Sequence, residues 1–390
     1  MTPAARVQAA IEVLDLVIEA ARSNGAPADR LIGDWFRTRR FAGTGDRRAV
    51  RELAYRAIRL CGEVPETGRA AMLRVAGEDP QVAALFDGSR HAPAAIGAGE
   101  QAAAGGVAPA WLMQRLAESG IDAAQAESLL DRAPLDIRVN TLRAGTLQLP
   151  EGGQRTASGN GWRYLPDTRI EQTSAYLEGM VEVQDAGSQL TCEVVAARPG
   201  ETVIDLCAGA GGKTLALAAA MENTGRLIAA DADRMRLSRL APRAQRAGAT
   251  GIETLLLDAN REMEALAPFV DKADAVLVDA PCSGTGTWRR NPEARWRLTD
   301  KQLERYAAIQ SRLLDIAARL VRPGGRLVFV TCSLLDAEGA GQAAGFLARN
   351  TGFRAEIPVL PAGTVRGAGL RLSPYHDGTD GFFVARFVRL

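Results

Sequence analysis

Two cysteines stand where covalent chemistry is possible: Cys282 in D-A-P-C-S-G-T-G-T (279–287) and Cys332 in T-C-S (331–333). Each follows a short apolar run of the strand type, and each sits among polar, turn-forming residues, Cys282 with the acid Asp279 close by. A thiolate is a strong nucleophile whose pKa falls beside positive charge, so a cysteine at such a strand end is equipped to attack an electrophilic ring. Cys61, Cys192 and Cys207 have apolar or small neighbours and read as small core residues. Five cysteines with no C-x-x-C, and only His91 and His376 as histidines, predict neither a disulfide framework nor a metal site.

A nucleophile of this kind needs a second substrate, and Thr202 to Thr214, T-V-I-D-L-C-A-G-A-G-G-K-T, supplies a place for one. Val203, Ile204 and Leu206 form a buried-strand run, and the glycines at 209, 211 and 212 let backbone approach a ligand closely. A P-loop needs glycine where Cys207 stands, and a dinucleotide fingerprint needs glycine or alanine where Thr214 stands, so both fail on spacing. An acid at a strand end with a tight glycine turn suits S-adenosylmethionine, a cationic ligand with no phosphates. Asp205 and the turn would hold its methionine end, Asp231 the ribose hydroxyls, and Asp258 the adenine amine or ribose side. Singly, such acids also cap helices; at consecutive strand ends they read together as ligand acceptors.

The elements that must carry these residues alternate regularly. Strands are expected at 227–230, 253–257, 275–278 and 327–330, separated by helices over 234–248 and 300–320, and Asp205, Asp231, Asp258, Asp279 and Cys332 all fall on the carboxyl edge. This is an α/β, doubly wound Rossmann-like sheet, which binds ligands at that edge, and 381–390 alternates well enough for a final antiparallel strand. Upstream, residues 5–85 read as all helical, with Asp46 as a candidate N-cap. Residues 91–110, rich in Ala and Gly, read as a linker, 111–170 as a small α+β segment with a loose, glycine-rich stretch at 152–162, and 171–390 as the main domain.

Hydrophobic residues make up 47 % of the 390 and charged residues 24 %, and no apolar run nears the ~18 residues that span a bilayer. With no signal-peptide layout at M-T-P-A-A-R, a cytoplasmic protein without membrane partners is expected. A net charge of +1 hides a cluster of nine arginines against three acids between Arg30 and Arg59, a possible phosphate-binding patch or simply a solvated helix face. Arg289, Arg290, Arg295, Arg297 and Lys301 follow the Cys282 motif and are further candidates for RNA contact, while Trp288 and Trp296 read as packing residues.

The D-A-P-C-S-G-T-G and T-C-S motifs, R-V-N-T-L at 138–142, Q-D-A-G-S-Q-L at 184–190 and the glycine turn together resemble the Sun family (Fmu/RsmB-like) of RNA cytosine-5 methyltransferases, over nearly the whole chain. Residues 1–90, with G-D-R-R-A-V-R-E-L-A-Y-R-A-I-R, are similar to the helical NusB-like RNA-binding domain of RsmB-like members. The resemblance implies S-adenosylmethionine as cofactor and RNA, with ribosomal RNA favoured, as partner. It implies that Cys332 adds to carbon 6 of cytosine, Asp279 stabilises the protonated ring nitrogen, Cys282 helps remove the carbon 5 proton, and Lys213 reaches toward cofactor and base. Cofactor contacts would come from Asp205, Cys207, Ala208, Gly209, Ala210, Gly211, Gly212, Lys213, Asp231, Arg236, Asp258, Asp279 and Pro281. Gly209-Ala210 replaces the family's alanine-proline, which loosens the turn. The alternatives are a non-catalytic RNA-binding or ribosome-assembly factor, or the same chemistry on transfer RNA, and a monomer is expected.

Overall fold

Apolar residues at three-and-four spacing build the helices Pro3–Arg22, Ala28–Arg37, Thr44–Leu60 and Gly68–Glu78. In this computed structural model, which describes all residues except Asn24, Ala144 and Thr146, the helices belong to a unit formed by Met1–Asp131 and Thr287–Thr299. Thr2 and Thr67 cap two of them by accepting from Ala5 and Ala70 N–H. Val7, Leu14, Ile32, Ile58, Met72 and Trp296 meet in the core. Gly68 is required at one crossing, since a Cβ there would lie 2.2 Å from the Ile11 carbonyl oxygen. Asp46 is not the N-cap. Gly43 holds that position, and Asp46, one turn in, accepts from Gly43 N–H (3.2 Å), Arg6 (2.9 Å) and the amino terminus (3.1 Å).

The arginine cluster is more neutralised than its sequence suggests. Arg48 pairs with Glu52 and Arg37 with Asp34, and three acids from outside the cluster, Asp29, Glu12 and Asp79, pair with Arg51, Arg39 and Arg56. The segment after the Cys282 motif also corrects an expectation. Arg295, fully buried, donates to the Ile58 (2.6 Å) and Cys61 (2.9 Å) carbonyls, and Arg297 to those of Gly25 (2.6 Å) and Ala26 (2.7 Å). These guanidiniums are engaged with backbone carbonyls, Arg295 at the end of the helix Thr44–Leu60 and Arg297 in the connection before the helix Ala28–Arg37. Trp296 packs as expected, its Nε1–H on Cys61 O at 3.1 Å.

The second unit comprises Arg132–Gly286 and Asp300–Leu390. It opens with a small antiparallel sheet of β1 (Leu135–Val139), β2 (Gln154–Arg155), β3 (Gly161–Tyr164) and β4 (Val181–Val183), in the order β2-β3-β1-β4. The glycines around β2 and β3 divide evenly. A Cβ on Gly161 would sit 1.9 Å from Thr156 Oγ1 and one on Gly153 would meet the Tyr164 ring, so these two mark close approach, whereas one on Gly152 or Gly159 would meet nothing within 4 Å.

The main sheet contains β5 (Thr202–Leu206), β6 (Arg226–Asp231), β7 (Ile252–Leu256), β8 (Ala273–Asp279), β9 (Val321–Thr331), β10 (Phe353–Glu356), β11 (Thr364–Arg366), β12 (Gly369–Leu372) and β13 (Phe382–Arg389). Its order is β11-β12-β13-β9-β8-β5-β6-β7, with β10 pairing β13; β5 to β9 run parallel, and β13 is antiparallel to β9. The central strands are buried on both faces. Ile204, Leu206, Val276 and Val278 join the core on one side, while Val203, Ala275 and Leu277 join the core on the other. The expected turn Pro323-Gly324-Gly325 lies inside β9, where Gly324 takes φ +74° and the register with β8 shifts. Strands β10 to β12, three or four residues each, carried no signal above turn composition.

Candidate active site

The neighbouring parallel strands β8 and β9 deliver Cys282 and Cys332 to one edge, their Sγ atoms 3.4 Å apart. Both are free thiols, since a disulfide bond would be ~2.05 Å long. Each cysteine is partly exposed, while the serine after each is buried. Backbone pairing fixes the two loops: Ala280 N–H donates to Val330 O (2.9 Å), Gly286 N–H to Cys332 O (3.0 Å), and Gly381 N–H to Gly286 O (2.8 Å). That last approach demands glycine, because a Cβ on Gly286 would lie 2.1 Å from Gly381 O. Hydrogen bonding to Cys332, then burial, push the Cys282 thiol well above its ordinary pKa, with Glu338 adding to the effect.

Lys213 and Asp279 form the charged partner of this pair. Lys213 Nζ lies 2.7 Å from Asp279 Oδ2, with the lysine side chain 11 % exposed and the aspartate 33 %. Burial opposes the ammonium, but Asp279 and the nearby Cys192 and Cys332 sulfurs outweigh it and hold Lys213 above its ordinary value. The same cation therefore pairs with the acid and lies within electrostatic range of the Cys332 sulfur.

Around the glycine turn, Cys207, Gly209 and Gly211 take φ of +75°, +55° and +85°. The turn is tied on two sides. Gly209 N–H donates to Asp231 Oδ2 at 2.6 Å, and Arg243, itself held by Glu182, donates to Ala210 O at 2.7 Å. These ties brace the Gly209-Ala210 turn from the β6 strand end and from the helix that carries Arg243. Asp205 is completely buried and accepts from Thr214 Oγ1 (2.6 Å), while its Oδ1 has no hydrogen-bond partner. Burial, the dominant cause, raises its pKa to about 7.

The structure thus brings Cys282, Cys332, Asp279 and Lys213 together. Asp205, Asp231 and the residues from Cys207 to Gly212 stand at the ends of the neighbouring strands β5 and β6. Arg236 lies over the turn, its guanidinium 2.5 Å from where a Gly209 Cβ would be. Asp258 is exposed just beyond β7, and Pro281 is exposed with its carbonyl on Gln310 (2.9 Å). Sequence reasoning missed Glu338, Gln310, Ser283 and Ser333, which lie buried beneath the cysteine loops. A faint signal for them existed in the repeated Cys-Ser pair. Among the described residues, no cluster of three or more His, Cys, Asp or Glu is placed to hold a metal ion.

A doubly wound, largely parallel sheet with a glycine turn after β5 and acids along its carboxyl edge is the Rossmann-like methyltransferase fold. Residues 192–388, half of the chain, match the family described as 16S rRNA methyltransferase RsmB/F, and the chain belongs to that family. A probable ribosomal RNA small subunit methyltransferase B from Synechocystis is 33 % identical over 72 % of the chain and 66 % of its own length. The ribosomal RNA small subunit methyltransferase B of Sodalis glossinidius is 31 % identical over 87 % and 79 %. The chain spans about two thirds of the length of several of the curated relatives it matches. Among solved structures, PH0851 superposes with a TM-score of 0.77 at 26 % identity over 99 % of both chains. NSun6 from Pyrococcus horikoshii, solved with SFG, shares the fold with a TM-score of 0.61 at 20 % identity, over 70 % of this chain and 97 % of its own.

Proposed function

We propose that this protein transfers a methyl group from S-adenosylmethionine to carbon 5 of cytosine in RNA, with small-subunit ribosomal RNA as its substrate. The observation that carries this reading is the Cys282–Cys332 pair, 3.4 Å apart, beside the Lys213–Asp279 ion pair at one sheet edge. Membership of the RsmB/F family and the names of its relatives support the choice of RNA. The turn suits the cofactor: buried Asp205 Oδ1 is an acceptor still lacking a donor, as an ammonium group would be, and backbone at Gly209 and Gly211 leaves the approach clear.

When bound, S-adenosylmethionine would supply a methyl group activated by its sulfonium. Asp205 and the turn would hold its methionine end, with Asp231, Asp258 and Arg236 toward the ribose and adenine. The Cys332 sulfur, on the same sheet edge as the Lys213 ammonium, adds to carbon 6 of cytosine, which makes carbon 5 nucleophilic. Asp279 stabilises the protonated ring nitrogen. Cys282, whose own thiol proton leaves to solvent once Cys332 is bonded to the ring, then takes the carbon 5 proton as a thiolate, and the carbon 6–sulfur bond breaks with its electron pair returning to Cys332. The order of events fits the electrostatics. The hydrogen bond to Cys332 is the largest cause of the raised Cys282 pKa, and it disappears once Cys332 is bonded to the ring.

Ribosomal and transfer RNA incubated with labelled S-adenosylmethionine and the purified protein test the proposal, with labelled nucleosides separated afterwards. Label is expected in 5-methylcytidine of small-subunit ribosomal RNA, falling by at least about 10³-fold for Cys332→Ser. Undiminished turnover by Cys332→Ser would remove the assigned nucleophile, and label confined to transfer RNA would reassign the substrate.

A further inference from the structure

Beneath the two cysteine loops lies a carboxylate that the chemistry above does not use. Glu338, in the turn Asp336–Glu338, is fully buried. Its Oε1 accepts from Ser283 N–H at 2.9 Å and from Gln310 Nε2 at 3.2 Å, and its Oε2 accepts from Ser333 Oγ at 2.7 Å and from Ser283 Oγ. One carboxylate thus holds the residue next to Cys282 and the residue next to Cys332. The network extends outward: Ser333 Oγ lies 3.1 Å from Thr285 Oγ1, which accepts from Leu334 N–H at 2.9 Å, and Gln310 also donates to Pro281 O.

The local backbone explains why a glutamate six residues after Cys332 can return under its own loop. Thr331 Oγ1 donates to Glu338 O (3.2 Å), and Gly339 lets the chain close on Phe383, where a Cβ would sit 2.8 Å from the ring. Asp336 at the head of the turn is braced by Arg371 (2.6 Å) and Arg366 (3.0 Å). A buried carboxylate is costly unless its oxygens are fully hydrogen-bonded, and here four donors from two loops and one helix meet that requirement.

We propose that Glu338 is a positioning residue that clamps the Cys282 and Cys332 loops together through Ser283 and Ser333 and so sets the separation of the two sulfurs. The proposal rests on the reading of Cys282 and Cys332 as the reacting pair, but the clamp itself is testable without methylation. Two cysteines serving one ring must keep their spacing through addition and elimination, and a misplacement of about 1 Å can cost about 10²-fold in rate.

The test compares wild type with Glu338→Gln, which keeps the size but places an amide group where two donors now point, and with Ser333→Ala, a milder cut of the same link. Phenylarsine oxide, which bridges two closely spaced thiols with loss of water, reports the spacing directly, and Cys282→Ser sets the single-thiol baseline. For Glu338→Gln, capture is expected to weaken about tenfold and kcat to fall about 10²-fold, with the cofactor KM within about threefold of wild type. Ser333→Ala should move the same way by a few-fold, and it carries the test if Glu338→Gln does not fold. Capture and kcat within twofold of wild type in the folded variants would overturn the clamp. So would an equal loss of cofactor binding, which marks a general structural role. If wild type methylates nothing, the arsenical result still decides the clamp, while the reaction assignment alone fails.

Discussion

The carboxyl edge of the sheet holds two regions built in opposite ways. Around the cysteines, both Glu338 oxygens have donors from two loops, and backbone pairs lock the strand ends. Around the glycine turn, by contrast, Asp205 Oδ1 is buried without a partner, its carboxyl is raised to about 7, and three residues take positive φ. In the first region the carboxylate is fully paired, and the one buried acceptor left without a partner is the neutral Gln310 Oε1. The second carries strain and an unmet acceptor, features that concentrate where a ligand finishes the structure. A reactive pair gains from being fixed in advance, whereas a turn that must admit and release a cofactor gains from being finished only when it is bound.

The largest expected effect tests whether the preformed region assigns its two sulfurs separate tasks. With Cys282→Ala, addition by Cys332 proceeds but elimination stalls. Turnover should drop by about 10²-fold or more while a covalent protein–RNA adduct accumulates as a slow band on a denaturing gel. No adduct under turnover conditions would mean that the cysteines do not divide the work, and the contrast between the two regions would lose its chemical half.

The next effect is thermodynamic and belongs to the turn. Burial raises Asp205 from an ordinary value of 3.8 to about 7, so the folded state holds this proton more tightly than the unfolded state. The stabilisation is fully present below about pH 4 and is lost as pH rises through 7. Asp205→Asn has no proton to lose, so the stability of wild type relative to it should decline by up to about 4 kcal/mol between pH 4 and pH 8. Urea unfolding of both proteins across that range provides the measurement. A stability difference that stays flat with pH would show that Asp205 is not under the burial penalty inferred for the turn.

How much of this was legible beforehand follows the same division. The parallel strands could be read because burial on both faces gives short continuous apolar runs, and the acids and cysteines at their ends could be placed by adjacency in sequence. The clamp could not. Ser283 and Glu338 are 55 residues apart, and nothing local distinguishes a buried glutamate from a solvated one. Arg295 misled for the mirror-image reason: a charged side chain next to a motif suggested RNA, yet its partners are carbonyls some 235 residues away. Glycine was read in two ways, as a tight turn at 209–212 and as looseness at 152–162, and the second holds at Gly152 and Gly159 but not at Gly153 and Gly161. Composition does not show whether a missing Cβ leaves space or lets another group fill it.

The smallest effect separates strain from simple exposure within the turn itself. At Gly211, φ is +85° and a Cβ would fall 2.1 Å from Leu240 Cδ1, whereas at the adjacent Gly212 φ is not positive and a Cβ meets nothing within 4 Å. Gly211→Ala should therefore cost about 1–2 kcal/mol, because an L-residue is disfavoured in the left-handed region and Leu240 must move. Gly212→Ala, at the first residue of the helix Gly212–Ala220, should be neutral or stabilising by up to about 1 kcal/mol. Thermal denaturation of the pair checks this without any ligand, and a cofactor titration adds the functional half. If the turn is held in a costly shape for its ligand, Gly211→Ala loses affinity along with stability, since the residue that must bend can no longer do so cheaply. Equal stability losses at 211 and 212 would mean that the turn stores no local strain, leaving the unpaired Asp205 as the sole feature that sets it apart from the cysteine edge.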